Sequence, residues 1–285
     1  MTAPVGIVDA HHHVWDLTAH AQPWLDDPAL ATINRSFHLS ELLPQAVAAG
    51  VTRTVVVETD NIPGETDELL ALAEREPLVA GVVGWVDLTS PAVAGELDRL
   101  RDAPAGSWLR GVRHQVQGET DRRWLERADV QRGLRVVADA GLTFDLLTRP
   151  AQLPAAIAAV RAVPGLRFVL DHCSKPPIAG GVSPSWERDI RTLAAAGDGA
   201  CKLSGLVTEA DWQAWRPADL QPVADVVLDV FGPDRVMFGS DWPVCLVAAA
   251  YDDVVGAAGA VTASLSLTER KRVFAGTAVE FYRLA

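Results

Sequence analysis

GIVDAHHHVWD, residues 6–16, is a β-branched apolar run that ends in three consecutive histidines and a tryptophan. Side chains alternate between the two faces of a strand, so His11 and His13 should point to one side and His12 to the other. Two later stretches repeat this order of apolar run and polar end: FVLDHCSKP (168–176) and MFGSDWP (237–243). The pattern predicts buried strands that carry reactive side chains at their carboxyl ends.

Eight β-branched runs of this kind occur along the chain, and longer Ala/Leu-rich segments with helical periodicity separate them. The expected strands are GIVDAHH (6–12), RTVVVE (53–58), VAGVVGWV (79–86), LRGVRH (109–114), LTFDLL (142–147), RFVLDH (167–172), ACKLS (200–204) and RVMFGS (235–240). Runs this apolar are typical of a parallel sheet that is covered on both faces. Eight β–α units in 285 residues predict an α/β fold with one domain, 1–285, closed into a (β/α)8 TIM barrel.

An open, doubly wound sheet is the alternative arrangement of such units. The turn after the first expected strand, HHHVWDLTAH (11–20), lacks G-x-G-x-x-G, and no G-x-x-x-x-G-K-[ST] occurs in the chain. The phosphate-binding loops of nucleotide folds are therefore missing, which favours the barrel.

The expected helices have recognisable ends. Their boundary residues are Ser40 and Ser90-Pro91 at amino ends and Gly141 and Gly197 at carboxyl ends. The Pro- and Asp-rich segment 21–37 should form a long loop over one end of the barrel.

The composition restricts the class of partner. A formal charge of −12 disfavours nucleic acid and anionic membranes, both of which need clustered Lys and Arg. The start MTAPVGIVDA (1–10) does not have the form of a secretory signal, and the uncharged stretch within 254–268 is too short to span a bilayer. The cysteines, Cys173, Cys201 and Cys245, form no C-x-x-C and should be small core residues. We expect a cytoplasmic protein with a small-molecule substrate, and the sequence leaves open a homodimer.

Polar side chains collect at the carboxyl ends of the expected strands: His11, His13, Glu58, Arg113, His114, Asp145, Asp171, His172 and Asp241. In a barrel these ends converge on one site. Two neutral imidazoles can chelate a divalent cation there, with His172 and Asp241 completing the set, although histidine pairs also form hydrogen-bond networks. A carboxylate beside a cation or imidazoles stays ionised at neutral pH and can take a proton from water.

HHHVWD (11–16), DHCSKPPI (171–178) and MFGSDWPV (237–244) together resemble the amidohydrolase superfamily, and within it the amidohydrolase-2 group of sugar-lactone and related lactone hydrolases. The resemblance extends from Val8 to GTAVEFYRL (276–284), which is similar to the closing helix of the group. It implies a barrel enzyme that hydrolyses a carboxylic ester bond.

The chain departs from the binuclear members of the superfamily, which carry a bridging lysine or glutamate and a histidine on strand 5. Here strand 4 offers Arg113, His114 and Gln115, and strand 5 offers Asp145 without a histidine. We therefore expect one divalent metal, with zinc as first choice. A metal-free site is the alternative, because some lactonases that resemble this sequence work without a metal. The missing histidine also disfavours the decarboxylases of the group.

The resemblance implies hydrolysis of a small polar lactone, a sugar-acid 1,4- or 1,5-lactone. Asp241 is then the general base and acid with His172 as the second catalytic residue, and His11, His13 and Asp241 hold the metal. The expected substrate-binding residues are Glu58, Trp85, Arg113, His114, Gln115, Asp145, Lys175 and Trp242.

Three alternatives remain beside this hypothesis. A lactone of an aromatic-degradation dicarboxylate, of the pyrone or muconolactone type, would need several cations, and only Arg113, Arg149 and Lys175 are candidates. A non-catalytic barrel that binds a sugar acid would not need converging imidazoles and a carboxylate. A cysteine hydrolase is disfavoured because the chain has no G-x-S-x-G and Cys173 follows His172 directly, on the opposite face of a strand.

Overall fold

The computed structural model describes residues 6–285. Residues 1–5, with which the expected domain and the MTAPVGIVDA segment begin, lie outside the described residues. Eight parallel strands pair in chain order, as the barrel prediction requires. They are β1 Ile7–His12, β2 Val51–Val57, β3 Val79–Gly84, β4 Leu109–His114, β5 Thr143–Leu146, β6 Arg167–Leu170, β7 Gly199–Leu203 and β8 Val236–Phe238. The (β/α)8 fold is confirmed, and the strands differ from their expected bounds by a few residues at most.

Helices follow the strands and surround the barrel. They are α1 Leu39–Ala48, α2 Glu65–Arg75, α3 Val93–Asp102, α4 Ala128–Asp139, α5 Leu153–Ala162, α6 Pro184–Ala194, α7 Pro217–Phe231, α8 Tyr251–Val261, α9 Leu267–Lys271 and α10 Thr277–Phe281. A π-helical turn, Arg272–Gly276, joins the last two. No helix within residues 6–285 is both long and apolar enough to cross a bilayer.

Two expected helix starts are wrong. The first helix begins before Ser40, because the Glu41 carboxylate accepts a hydrogen bond from the backbone N–H of His38 at 3.2 Å and makes His38 the cap. The Ser90 hydroxyl accepts from Ala92 N at 3.1 Å and closes a turn ahead of α3 instead of capping it.

The two glycines expected at helix ends have different roles. Gly141 has φ +69° and lies just past α4, as expected for a residue that ends a helix. Gly197 does not end α6, whose C-cap is Ala195. A Cβ at Gly197 would lie 2.8 Å from a Val160 methyl carbon, so a close approach of backbone to α5 accounts for this glycine.

The barrel closes between β1 and the residues after β8. The backbone N–H of His13 donates to Trp242 O at 2.7 Å, and Asp241 N donates to His11 O at 2.8 Å. The first and last strands therefore meet at their carboxyl ends, and this pairing brings residues from opposite ends of the chain together.

The amino end of the barrel is covered by the C-terminal segment, α9 to Leu284. Interior side chains such as Val8, Val83 and Met237 pack against Ala278 and Leu284 of this segment in one apolar cluster. A larger cluster fills the space between the strands and the helices. The three cysteines are free and buried, which confirms them as core residues.

The segment 21–37 is more ordered than the expected loop. It contains two short 3-10 turns, Pro23–Asp26 and Pro28–Leu30, and it buries Leu25, Ile33 and Phe37. These apolar side chains anchor the segment to the barrel.

Candidate active site

A register shift in β1 sets the directions of the first-strand histidines. The pairing of β1 with β2 shifts between Asp9 and His12, as at a β-bulge. Ala10 belongs to the barrel-interior cluster, and the His11 side chain is also directed to the interior, where it meets the groups described below. His12 points away, with Nε2 3.0 Å from Thr54 Oγ1, as strand alternation predicts.

Three imidazoles surround one carboxylate at the carboxyl end of the barrel. Asp241 Oδ1 lies 3.7 Å from His11 Nε2, 3.6 Å from His13 Nε2 and 3.7 Å from His172 Nε2. The Nε2 atoms of His11 and His13 are 3.1 Å apart. All four residues are buried. We call these four residues the His–Asp cluster.

The rings of the cluster are fixed by their second nitrogens. His13 Nδ1 lies 2.8 Å from Val57 O, and because a carbonyl only accepts, Nδ1 carries the proton and Nε2 keeps a lone pair facing the cluster. His172 Nδ1 lies 2.9 Å from Ser204 Oγ. Both imidazoles therefore present Nε2 to Asp241.

The carboxylate of the cluster is ionised at neutral pH. Burial alone would raise the pKa of Asp241, but the imidazoles of His172, His13 and His11 hold that pKa well below its usual value. Burial lowers the pKa of His172 to about 4. The carboxylate is therefore ionised and the His172 imidazole neutral near pH 7.

The loop after β6 is a left-handed turn made without glycine. Four consecutive residues have φ between 49° and 61°: His172, Cys173, Ser174 and Lys175. Each such residue is strained by about 1–2 kcal/mol. Trp186 Nε1 donates to Cys173 O at 2.8 Å, and the hydroxyls of Thr148 and Ser174 are 2.8 Å apart, so surrounding contacts hold the turn. Strain of this kind concentrates at functional sites.

A glycine lies against the cluster. Gly205 follows β7 with φ +61°, and a Cβ there would lie 2.6 Å from His172 Nδ1 and 3.1 Å from Asp241 Oδ2. Only glycine leaves room for both side chains in their observed positions.

A network of buried charges lies next to the cluster. Lys202 Nζ is 2.6 Å from Asp145 Oδ2 and 3.0 Å from Asp171 Oδ1. Arg113 Nη1 is 3.2 Å from Asp171 Oδ2, and Arg113 Nε donates to Glu58 Oε1 at 2.6 Å. Burial raises the pKa of Glu58 to about 7, although the Arg113 cation opposes this. Each buried cation thus has carboxyl partners, as buried charges require.

This network contacts His11 on both ring nitrogens. Lys202 Nζ lies 3.0 Å from His11 Nδ1, and Arg113 Nη1 lies 3.3 Å from His11 Nε2. Burial, together with the Lys202 cation, keeps the pKa of His11 well below its ordinary value. His11 is therefore neutral, and with one acceptor nitrogen it can accept a hydrogen bond from only one of these two cations at a time.

The donor set fits a divalent cation. Nitrogen or oxygen donors of His11, His172 and Asp241 all lie within 4.8 Å of one another, and His13 Nε2 adds a fourth. Ligands about 2.0–2.2 Å from a tetrahedral zinc lie roughly 3.4 Å apart, close to the separations of this cluster. Two neutral imidazole nitrogens at this separation also need a proton or a cation between them.

The residues predicted to contact substrate fall into two groups. At the carboxyl ends of β3 and β4, Trp85 Nε1 donates to His114 Nδ1 at 3.2 Å, and Gln115 Nε2 donates to Thr59 O at 2.8 Å. Lys175 follows His172 in the left-handed turn and is half-buried.

The other members of that set have partners within the protein. Asp145 accepts from Lys202 and, at 2.6 Å, from the Tyr282 hydroxyl, so its carboxylate is occupied deep in the barrel. Trp242 is 1% exposed and packs against Phe37 at a ring separation of 5.5 Å. Glu58 and Arg113 pair with each other, as described above. The assignment of these residues to substrate binding stays a prediction.

Sequence reasoning missed Lys202, Ser204 and Tyr282, and it noted Asp171 without giving it a role. Lys202 had a detectable signal, because a lysine inside the apolar run ACKLS is buried only when it is paired. Tyr282 lies far along the chain, and no pattern in the sequence links it to Asp145.

The chain is similar over almost its full length to several known proteins. A family model described as amidohydrolase matches residues 8–284. A Burkholderia multivorans protein named L-fucono-1,5-lactonase is 38% identical over 97% of this chain and 96% of its own length. A crystal structure of an amidohydrolase from Burkholderia multivorans with bound zinc has a TM-score of 0.91 at 38% identity, covering 98% of this chain and 99% of that one. A probable 2-pyrone-4,6-dicarboxylic acid hydrolase from Acinetobacter baumannii has a TM-score of 0.81 at 18% identity, covering 98% and 100% of the two chains, a likeness of fold alone.

Proposed function

Because the chain belongs to the amidohydrolase family, we propose that it hydrolyses the ring ester of a sugar-acid lactone. The observation that carries this proposal is the ionised Asp241 carboxylate surrounded by three imidazoles at 3.6–3.7 Å. The full-length similarity to a protein named L-fucono-1,5-lactonase supports the substrate class. A 1,5-lactone of a deoxy sugar acid is the first substrate to test.

Asp241 acts as general base and then as general acid. Its carboxylate takes a proton from a water molecule, and the water oxygen bonds to the lactone carbonyl carbon. The Lys175 ammonium is the cation best placed to stabilise the oxyanion, since Arg113 is paired with Glu58 and Asp171, and one such donor is typically worth roughly 3–4 kcal/mol. As the ring C–O bond breaks, Asp241 returns its proton to the leaving oxygen, giving a hydroxy acid.

One divalent metal, with zinc as first choice, would be held by His11, His13 and Asp241. When bound, it supplies Lewis-acid polarisation of the carbonyl and a lower pKa for water. The neutral imidazoles and the ionised carboxylate are the protonation states that such a metal needs. His172 serves as a further donor to the metal or to the substrate.

The dicarboxylate lactone is the weaker candidate. Arg113 is already engaged by Glu58 and Asp171, so it has limited capacity for a substrate carboxylate. Lys175 and Arg149 remain, and two anionic groups on a substrate usually need more cations than these. A neutral polyol lactone suits the site better.

A substrate panel tests the proposal. Purified protein is assayed by proton release against L-fucono-1,5-lactone, other aldonolactones, 2-pyrone-4,6-dicarboxylate and muconolactone, with metal content measured in parallel. We expect kcat/KM to be highest for an aldonolactone. Preference for the dicarboxylates would replace the substrate class, and binding of aldonic acids without turnover of any lactone would support the non-catalytic barrel instead.

A further inference from the structure

The amino end of the barrel, opposite the His–Asp cluster, contains a cavity of about 490 Å³. Four arginines line it, and we call it the arginine cavity: Arg101, Arg110, Arg167 and Arg283. They come from the end of α3, the starts of β4 and β6, and the residue next to Leu284. This concentration of cations is unusual in a chain with a formal charge of −12.

These arginines are poorly neutralised. Within residues 6–285, Arg101, Arg110 and Arg283 make no ion pair with a carboxylate, and Arg167 Nε reaches only the exposed Asp198, at 3.7 Å. Most surface ion pairs elsewhere in residues 6–285 are closer, such as Arg191 with Asp229 at 2.7 Å. Most guanidinium donors of the arginine cavity therefore have no carboxylate partner among the described residues.

Arg110 shows the deficit most clearly. Its Nε is buried and has no hydrogen-bond partner among the described residues. Burial lowers the pKa of Arg110, and the cation of Arg283 lowers it further. Burial and Arg283 act on the pKa of Arg167 in the same way. A buried donor without a partner is costly, so a ligand that accepts from it would be bound favourably.

The remaining wall leaves these guanidinium groups available. Arg167 Nη2 donates to Phe281 O at 2.8 Å, and Arg283 Nη1 donates to Gly141 O at 3.3 Å. Each guanidinium has five N–H donors, so most of them are free. Asp98 and Asp102 of α3 also line the cavity, but both are exposed and neither pairs with an arginine there.

We propose that the arginine cavity binds a small oxyanion, either a carboxylate or a phosphate group. Planar guanidinium groups match both chemistries through paired N–H donors. The ligand could be a free phosphate compound or a sugar acid of the kind that lactone hydrolysis releases. The site lies at the end of the barrel where (β/α)8 enzymes do not place their chemistry, so we expect binding there to stabilise the fold without taking part in the reaction.

Titration calorimetry at constant ionic strength tests the site, with inorganic phosphate and gluconate as probes and chloride as background anion. We expect saturable binding of at least one probe, with one site per chain. Arg110→Gln and Arg283→Gln should each weaken that binding at least tenfold. Arg122→Gln is the matched control. It removes the same charge, and Arg122 is exposed and lies outside the cavity. It should change the affinity by less than twofold.

Two results would overturn the proposal. One is the absence of saturable binding of both probes. The other is equal affinity of the wild type, Arg110→Gln and Arg283→Gln for the probe. Binding of gluconate at the His–Asp cluster alone would give this second result. Arg283 is exposed, so its variant should fold even if Arg110→Gln does not. The readout needs no turnover and is therefore independent of the proposed lactonase activity.

Discussion

The two ends of the barrel are built in different ways. At the amino end, the C-terminal segment closes the barrel with apolar side chains from Ala275 to Leu284. At the carboxyl end, buried ionisable groups replace the apolar ones. Of the six non-glycine residues with positive φ in residues 6–285, five lie at this end, in the 172–175 turn and at Asp241. The amino end combines this apolar closure with the arginine cavity, whereas the carboxyl end holds the backbone strain, as expected for the end that carries the chemistry.

Asp241→Asn, at the carboxyl end of the barrel, should have the largest effect on activity. An amide cannot take a proton from water, so kcat on the best lactone should fall by about 10³-fold. The free energy of unfolding should also fall, because the low pKa of Asp241 means that the folded state favours the charged carboxylate. Steady-state kinetics and urea unfolding measure the two quantities.

Asp229→Asn is the control for this substitution, since Asp229 is an exposed carboxylate on α7 that pairs with Arg191. Its kcat should equal that of wild type within twofold. If Asp241→Asn kept a tenth of the wild-type kcat, Asp241 would lose its role as the general base.

Lys202→Met should cause the largest loss of stability. It removes the cation between Asp145 and Asp171, and breaking a buried ion pair costs about 3–5 kcal/mol. Adding Asp145→Asn should recover part of that loss. Met237→Leu is the control, because Met237 on β8 is the register partner of Lys202 on β7. This substitution conserves volume and should cost less than about 1.5 kcal/mol of stability. Equal urea midpoints for Lys202→Met and Met237→Leu would contradict the role of this ion network.

The barrel could be predicted from the sequence because each strand is a separate apolar run. β4, Leu109–His114, has the expected bounds, and β5 and β6 end earlier than expected because their last residues enter the site loops. Helix starts were less predictable, since Ser40 has the better intrinsic preference for a cap but the Glu41 side chain selects His38. Side-chain hydrogen bonds of this kind are not visible in the periodicity.

The positions of site residues were predictable where they follow from the alternation of side chains along a strand, and less predictable elsewhere. His11 and His13 share a side, as expected two residues apart, but the bulge that turns His11 inward has no sequence signature. The left-handed turn is also hidden, because Cys173 and Lys175 have no intrinsic preference for positive φ. Tertiary contacts impose both features.

Gly205→Ala and Gly165→Ala compare the two ends with one substitution. Both glycines have positive φ, +61° at the carboxyl end and +84° in the loop before β6, so alanine brings similar backbone strain of about 1–2 kcal/mol. At Gly165 nothing lies within 4 Å of the new Cβ, whereas at Gly205 it meets His172 and Asp241. We expect kcat to fall about 10²-fold for Gly205→Ala, as for a catalytic group displaced by 1 Å, and to stay unchanged for Gly165→Ala. Equal kcat values in the two variants would show that the crowding at Gly205 is relieved without cost to catalysis.

The smallest effect concerns Glu65, a buried carboxyl at the start of α2 that accepts from Thr59 N at 2.8 Å. Burial, with repulsion from Glu58, raises the pKa of Glu65 to about 8. Between pH 4.5 and pH 8 the folded protein keeps a proton on Glu65 that the unfolded chain has released, since the ordinary pKa is near 4.5. The contribution of Glu65 to the free energy of unfolding is therefore complete below pH 4.5 and is lost as the pH rises towards 8. Glu65→Gln has no such proton.

The difference in unfolding free energy between wild type and Glu65→Gln should thus shift in favour of the variant as the pH rises. From pH 6 to 7.5 we expect a shift of about 1–2 kcal/mol, since one pKa unit corresponds to about 1.4 kcal/mol. Glu74→Gln, an exposed substitution on the same helix, should leave the difference flat across this range. Parallel urea titrations at several pH values measure both. If the difference between wild type and Glu65→Gln did not change with pH, the buried Glu65 side chain would ionise as easily as an exposed one. Burial of a charge at this end of the barrel would then cost less free energy than the geometry indicates.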